Sequence, residues 1–276
     1  MSYQMKRYED LDITDNFMFA KVFSNEDVAK DFLQDVLKIT IDKISVVGEA
    51  TAQEDLFHKS VRFDVAVKEE IADESGVSRP GRYFDIELQM VDTGELPKRA
   101  RYYQGMCDLD VLAKGVNYTM LQEQYILFIC PEDIFDEGLP VYRFQNREES
   151  DPSILMGDLC YKNFYIFSKH SEIADEATRE YMQYFATKQG SSSKMKHIQD
   201  LVEKYRRDPV AKKAYMTLEQ ELDIRYKKGR EEGRKDKALE MARAMLAKGK
   251  PVSEIIEFTG LSEEEVKALQ KNHNLG

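Results

Sequence analysis

Apolar residues recur at helical spacing between residues 15 and 37, DNFMFAKVFSNEDVAKDFLQDVL. Phe17, Phe19, Val22 and Phe23 form one set; Val28, Phe32, Leu33, Val36 and Leu37 form the next. Asp15 stands where an N-cap is wanted and Ser24 interrupts the pattern, which predicts two helices, the second starting at Asn25. The period then changes. KISVVGEATAQ, 43–53, and VRFDVAVKEE, 61–70, read as strands, IADESGVSRPG, 71–81, carries the turn residues of a hairpin loop, and RYFDIELQM, 82–90, alternates as a third strand. Helical spacing returns over 96–115, with Pro97 in the first turn and Gly115 at the end. EQYILFICP, 123–131, is nearly all apolar, as a central strand in a parallel pairing would be. Hairpin-linked strands followed by a helical crossover imply an α/β fold with a mixed sheet flanked by helices.

Beyond residue 131 the pattern predicts peripheral strands at 139–145 and 160–168, then an amphipathic helix at 172–187. QGSSSK, 189–194, reads as a hinge. It divides the chain into 1–190 and an all-helical region, 191–276. Helices are expected at 194–207 and 211–248, followed by a two-helix unit. In VSEIIEFTGLSEEEVKAL, Ser253 can cap the first helix of that unit, Thr259-Gly260 makes the turn, and Ser262 with Glu265 is a capping box, giving a helix-turn-helix outline. A DNA-reading helix should begin with basic or amide side chains, whereas this one begins SEEE. That favours packing or oligomerisation for the unit.

The chain has 276 residues, 42% of them hydrophobic and 33% charged, enough apolar material for a sizeable core. There is no apolar run long enough to cross a membrane and no signal peptide is expected at MSYQMKRYEDLDITDN. Three widely spaced cysteines, Cys107, Cys130 and Cys160, suggest a reducing cytoplasm and no disulfide framework. Net charge is −11 but uneven: residues 191–276 carry 19 Lys and Arg against 15 Asp and Glu, so the deficit lies in 1–190. Overall acidity weighs against a long-range pull on nucleic acid and leaves room for a local groove whose acids are neutralised by bound cations.

Candidate chemistry comes from the third strand. Alternation puts Tyr83, Asp85, Glu87 and Gln89 on one face, opposite Phe84, Ile86, Leu88 and Met90. Asp64, in RFDVAV, would meet Glu87 and Gln89 if the two strands pair. Two adjacent carboxylates call for a compensating cation, and Mg2+ is the natural one. A solvated strand face would also alternate, so both readings stand at this point.

The order Asp64, Glu87-Leu88-Gln89, within helix–strand–strand–strand–helix–strand, resembles the PD-(D/E)XK, or restriction-endonuclease-like, nuclease superfamily. The segments TDNFMFAKVF, KRARYYQGMCDLDVLAKG and the C-terminal GREEGRKDKALEMARAMLAKGKPVSEIIEFTGLSEEEVKAL are similar to the Rpn family of recombination-promoting nucleases and transposases. The resemblance implies a metal-dependent DNA endonuclease, with Asp64, Glu87 and Gln89 catalytic. Asp64, Glu87 and the backbone carbonyl of Leu88 would hold Mg2+, or Mn2+ in its place. Gln89 stands where the superfamily usually has lysine. Glutamine orients water but takes up no proton at neutral pH. Asp15 is either a cap or an additional ligand. Lys21 is a candidate for the missing lysine, or a solvated side chain. Asp85 is expected one pleat from Glu87, behind the ligands. Lys98, Arg99, Arg101 and Tyr102 follow the active strand and are expected on DNA phosphates, with Tyr102 or Tyr103 alternatively packed inward. Lys227, Lys228, Arg230 and Arg234 lie in the basic stretch 225–250, a second expected DNA contact. Further expectations are DNA as partner, no membrane, and a homodimer. The competing functions are a DNA-binding or recombination accessory protein with weak catalysis, and an assembly protein whose helices self-associate.

Overall fold

The protein is described from a computed structural model, covering residues 5–48, 51–52, 61–62, 64–72, 78–111 and 117–273. The strand pattern expected at 49–50 and 53, the link at 54–60, Phe63, the hairpin tip at 73–77 and the helix end at 112–115 lie outside the described residues. Contacts divide the chain into a larger unit, Arg7–Lys212, and a smaller one built mainly from Lys213–Gly276.

Two helices open the larger unit, α1 (Asn16–Phe23) and α2 (Glu26–Leu37). The break at Ser24 falls where the pattern predicts it. Then come β1 (Lys43–Gly48), the short pair β2 (Thr51–Ala52) and β3 (Val61–Arg62), β4 (Val65–Ala72) and β5 (Ser78–Leu88). α3 (Leu96–Val111) leads to β6 (Gln124–Cys130), β7 (Val141–Phe144), β8 (Cys160–Ile166) and α4 (Glu176–Thr187). Among the described residues six strands form one mixed sheet, ordered β1-β4-β5-β6-β8-β7. β1, β4 and β5 pair antiparallel, β5, β6 and β8 pair parallel, and β7 returns antiparallel on the edge. β8 therefore lies inside the sheet, not at its periphery as its polar-flanked pattern suggests. Its second half, Phe164, Tyr165 and Ile166, is buried. Asp64 departs from the expected strand: it sits at a bend between β3 and β4.

Each sheet face has its own cover. α3 lays Leu96, Ala100, Tyr103, Met106 and Cys107 over Ala66, Tyr83, Ile126, Phe128 and Phe164. The other face carries Tyr165, whose ring lies 6.5 Å from Phe32 of α2. There Phe19, Phe23, Phe32 and Phe185 form an aromatic cluster at centroid spacings of 4.4 to 6.1 Å. Such spacings add dispersion and quadrupole attraction to the burial of large apolar area. α5 (Ser193–Arg206), capped by Ser192, buries Met195, Ile198, Leu201 and Val202 and packs on α1 and α4. This packing is why the contact boundary falls at 212/213, beyond the Gly/Ser stretch at 189–194: the helix after that stretch belongs to the larger unit's core.

α6 (Pro209–Ala247) spans the division. In the smaller unit, α7 (Val252–Thr259) and α8 (Glu263–His273) place Ile255, Leu261 and Val266 against Ala242 of α6. Gly260 turns at φ 70°, where glycine has no Cβ to clash. The Ser262 N–H donates to Glu265 Oε2 at 2.9 Å and the Glu265 N–H donates to Ser262 Oγ at 3.3 Å, the reciprocal bonds of a capping box. Pro251, not Ser253, occupies the N-cap position of α7. Proline already supplies the fixed φ there, so the helix begins two residues earlier, at Val252.

Candidate active site

β5 carries the candidate residues past α3. In the β4–β5 register Val65 faces Ile86 and Ala66 faces Asp85, so Asp64 continues toward Glu87. Two reciprocal contacts lock that approach. The Asp64 N–H donates to Glu87 Oε1 at 2.9 Å, and the Leu88 N–H donates to Asp64 Oδ2 at 3.1 Å. The Glu87 side chain is thus tied to the main chain of Asp64, and the Asp64 side chain to that of Leu88.

The polar face of β5 is not solvated. It lies under α3, and Asp85 and Glu87 are fully buried. Neither oxygen of Asp85 has a hydrogen-bond donor. Burial drives the Asp85 carboxyl well above the ordinary carboxylate range, and the neighbouring Glu87 and Asp64 charges push it the same way. Glu87 rises to about 8, first through burial and then through Asp64, against the pull of Arg99. Two buried carboxyls side by side can share a proton, and Asp85 so protonated gains the partner it otherwise lacks.

Arg99 of α3 closes the group. Its Nη2 donates to Glu87 Oε2 at 2.5 Å, its Nη1 to Gln89 Oε1 at 2.7 Å, and its Nε to Tyr103 Oη at 2.6 Å. Burial alone would lower the Arg99 pKa, yet Glu87 holds the guanidinium charged. The Gln89 amide also donates to the Val91 carbonyl. Each end of Gln89 keeps one further hydrogen-bonding position for water.

The remaining expected residues lie elsewhere. Asp15 is at the N-cap position of α1, but its side chain accepts from the Asp12 N–H instead of capping the helix. Lys21 lies over the Phe17 ring, 5.7 Å from its centroid. Lys98 and Arg101 are exposed, Tyr102 is half-exposed, and Tyr103 packs inward. Arg99 is turned into the site and away from the exposed face of α3. Lys227, Lys228, Arg230 and Arg234 are all exposed on α6; Lys227 pairs with Asp223 at 2.6 Å. The Arg99–Glu87 pair and the depth of Asp85 were not anticipated from sequence. A signal for the first existed: Leu96, Ala100, Tyr103 and Cys107 mark the inward stripe of α3, and Arg99 borders it, four residues before Tyr103.

Among the described residues no three of His, Cys, Asp or Glu converge as a ready metal cage. The pair Asp64 and Glu87 offers hard oxygen donors without thiol or imidazole. Such a set suits Mg2+, which commonly takes one or two carboxylates and fills the rest of its shell with water. The orphaned oxygens of Asp85 behind Glu87 also mark a region short of positive charge. The residues therefore fit the cation that the resemblance implies.

Comparison with known proteins identifies the family. A family model described as PD-(D/E)XK nuclease family transposase matches residues 13–242. A second, described as the C-terminal HTH domain of the Rpn/YhgA-like nuclease family, matches residues 235–271. The chain is 44% identical over 62 residues to the recombination-promoting nuclease RpnA of Escherichia coli strain K12; the match covers 22% of this chain and 19% of that protein. No solved structure matches.

Proposed function

We propose that this chain, which belongs to the PD-(D/E)XK nuclease family of transposases, is a Mg2+-dependent endonuclease that hydrolyses DNA phosphodiester bonds in recombination or element mobility. The observation that carries the reading is the junction of half-buried Asp64 with buried Glu87, in which the Asp64 N–H holds Glu87 and the Leu88 N–H holds Asp64, beside a strand that α3 covers. Asp64, Glu87 and the Leu88 carbonyl would hold the cation; Asp15 is too committed to Asp12 to be assigned as a ligand without rearranging. A cation there supplies a bound water of lowered pKa and stabilises charge on the phosphodiester. Gln89 orients water through its remaining lone pair and N–H. Tyr103 and Gln89 hold the guanidinium of Arg99 beside the carboxylates.

Lys98, Arg101 and Tyr102, exposed on α3, and Lys227, Lys228, Arg230 and Arg234 on α6 are proposed backbone contacts. Replacing those four α6 residues by Gln should weaken DNA binding at every sequence alike. It should also flatten the dependence of log affinity on log salt by about one per lost phosphate contact. Fluorescence anisotropy at several salt concentrations reads both; an unchanged slope removes α6 from the interface. The three glutamates that open α8 argue against its insertion into a groove. With Ile255, Leu261 and Val266 packed on Ala242, α7 and α8 are better suited to packing than to reading bases.

The test is supercoiled plasmid incubated with the protein and Mg2+, with and without chelator. Nicking that chelator abolishes and Mg2+ restores is expected. Salt-sensitive binding without turnover would favour the second reading, a DNA-binding accessory protein. That reading draws on the absent lysine at Gln89 and on the ties at both ends of its amide.

A further inference from the structure

Both carboxylate oxygens of Glu87 are engaged, but by partners of different kinds. Oε1 accepts from the main-chain N–H of Asp64, whose neighbour Val65 is fixed in the β4–β5 pairing. Oε2 accepts from the end of the long Arg99 side chain, which keeps 32% exposure. An ion that takes Glu87 as a ligand competes with both for the carboxylate's charge. The backbone donor cannot withdraw without unpairing strands, whereas a guanidinium can swing out by rotating about its side-chain bonds.

We propose that Arg99 is the resident counter-cation of Glu87, that a divalent ion entering at Asp64 and Glu87 displaces it, and that the released guanidinium then meets the substrate phosphate. This rests on the metal-site reading above and adds a competition to it. An ionised carboxylate buried beside Asp64 and Asp85 needs a compensating cation, and removing that cation without replacement is strongly destabilising. Arg99 meets the need in one state and the metal in the other. The two compete at Oε2: both are cationic, and like charges held a few ångströms apart repel. The guanidinium is also held for release in one direction. Tyr103 Oη and Gln89 Oε1 bind its other nitrogens, and it lies 5.0 Å from the Tyr103 ring centroid and 5.7 Å from that of Phe128. Its departure opens the second lone pair of Gln89 Oε1 to water as well. A planar guanidinium with paired donors matches two phosphate oxygens. Arg99 thus becomes a phosphate contact, as its position after the active strand suggests, only once it has left Glu87.

The test is Mn2+ binding to the full chain without DNA, measured by titration calorimetry at fixed pH, with folding checked by circular dichroism. Arg99→Gln should bind Mn2+ about tenfold more tightly than the wild type, the worth of one charge-assisted bond no longer broken. Tyr103→Phe, which loosens Arg99 without altering charge, should tighten binding about threefold. A merely structural Arg99 predicts the opposite, a loss of affinity in both variants. Equal or weaker Mn2+ binding by Arg99→Gln overturns the exchange. Should that variant fail to fold, equal or weaker binding by Tyr103→Phe overturns it. Glu87→Gln reads the underlying site separately: wild-type Mn2+ affinity in that variant would remove the metal-site reading itself, and the exchange with it.

Discussion

Glu87→Gln should cut Mg2+-dependent nicking of supercoiled plasmid by about a thousandfold or more while the protein stays folded. The estimate follows from the several kcal/mol of charge stabilisation that a bound metal gives a transition state, each 1.36 kcal/mol being a factor of about ten. The substitution conserves shape and removes charge. Glutamine can still accept the Asp64 N–H through its oxygen, but its amide then faces the Arg99 Nη2 that the carboxylate now receives. Relief from the repulsion of buried Asp85 offsets part of the loss of that ion pair. Asp64→Asn should act in the same direction, since Asp64 Oδ2 anchors the Leu88 N–H and its charge is half of the proposed ligand pair. Initial nicking rates at saturating Mg2+, with thermal melting of each variant alongside, check the prediction. Wild-type rates in a folded Glu87→Gln protein would end the endonuclease reading at this site.

Arg82→Ala is expected to be the most damaging change away from the site, costing the larger unit about 3–5 kcal/mol. Glu69 is 1% exposed at its side chain and 18% of Arg82 is exposed. Arg82 meets Glu69 as a fork, Nε to Oε2 at 2.6 Å and Nη2 to Oε1 at 2.8 Å. The Asp42 and Arg82 main-chain N–H groups add bonds of 3.0 and 3.2 Å. Removing the guanidinium leaves a buried charge with two main-chain donors, far short of compensation. For a unit of this size the loss lowers the melting temperature by about 10 °C. pH gives a second reading. Burial alone would raise the Glu69 pKa, but Arg82 and the two main-chain donors bring it below its ordinary value of 4.5. A depressed folded-state pKa contributes stability that is present above the unfolded value and lost as pH falls through the folded one. The gap between wild type and Arg82→Ala should therefore narrow below about pH 4. Urea titrations at pH 7 and at about pH 3 measure it; an equal gap at both would show that the pair is not what is lost.

Much of the fold was open to a reading of periodicity. The two opening helices and the capping box at Ser262 depend on neighbours within a few residues, so local pattern specifies them; the turn residues between β4 and β5 and the apolar run of β6 pointed to their pairings, which join residues far apart in sequence. The central position of β8 was not, because its first half alternates like an edge strand and only the parallel pairing with β6 buries the rest. The affiliation of α5 was hidden for the same reason. A Gly/Ser stretch signals a turn, but which unit a following helix joins depends on surfaces far away in sequence.

The candidate site divides along the same line. Residue type and order alone brought Asp64, Glu87 and Gln89 together as a carboxylate pair with an amide, and alternation placed Asp85 on their face. Sequence could not say whether that face met water or protein, since a solvated strand and a strand covered by an amphipathic helix alternate alike. The packing of α3 decided it. By laying Leu96, Ala100 and Tyr103 on the sheet, α3 excludes water from Asp85 and Glu87 and carries Arg99 to Glu87 Oε2. Burial turns an ordinary row of polar residues into a cluster that must hold a proton or a cation, because desolvated like charges cannot stand side by side without one. The identities of the charges were determined by the chain; their energies were determined by what folded over them.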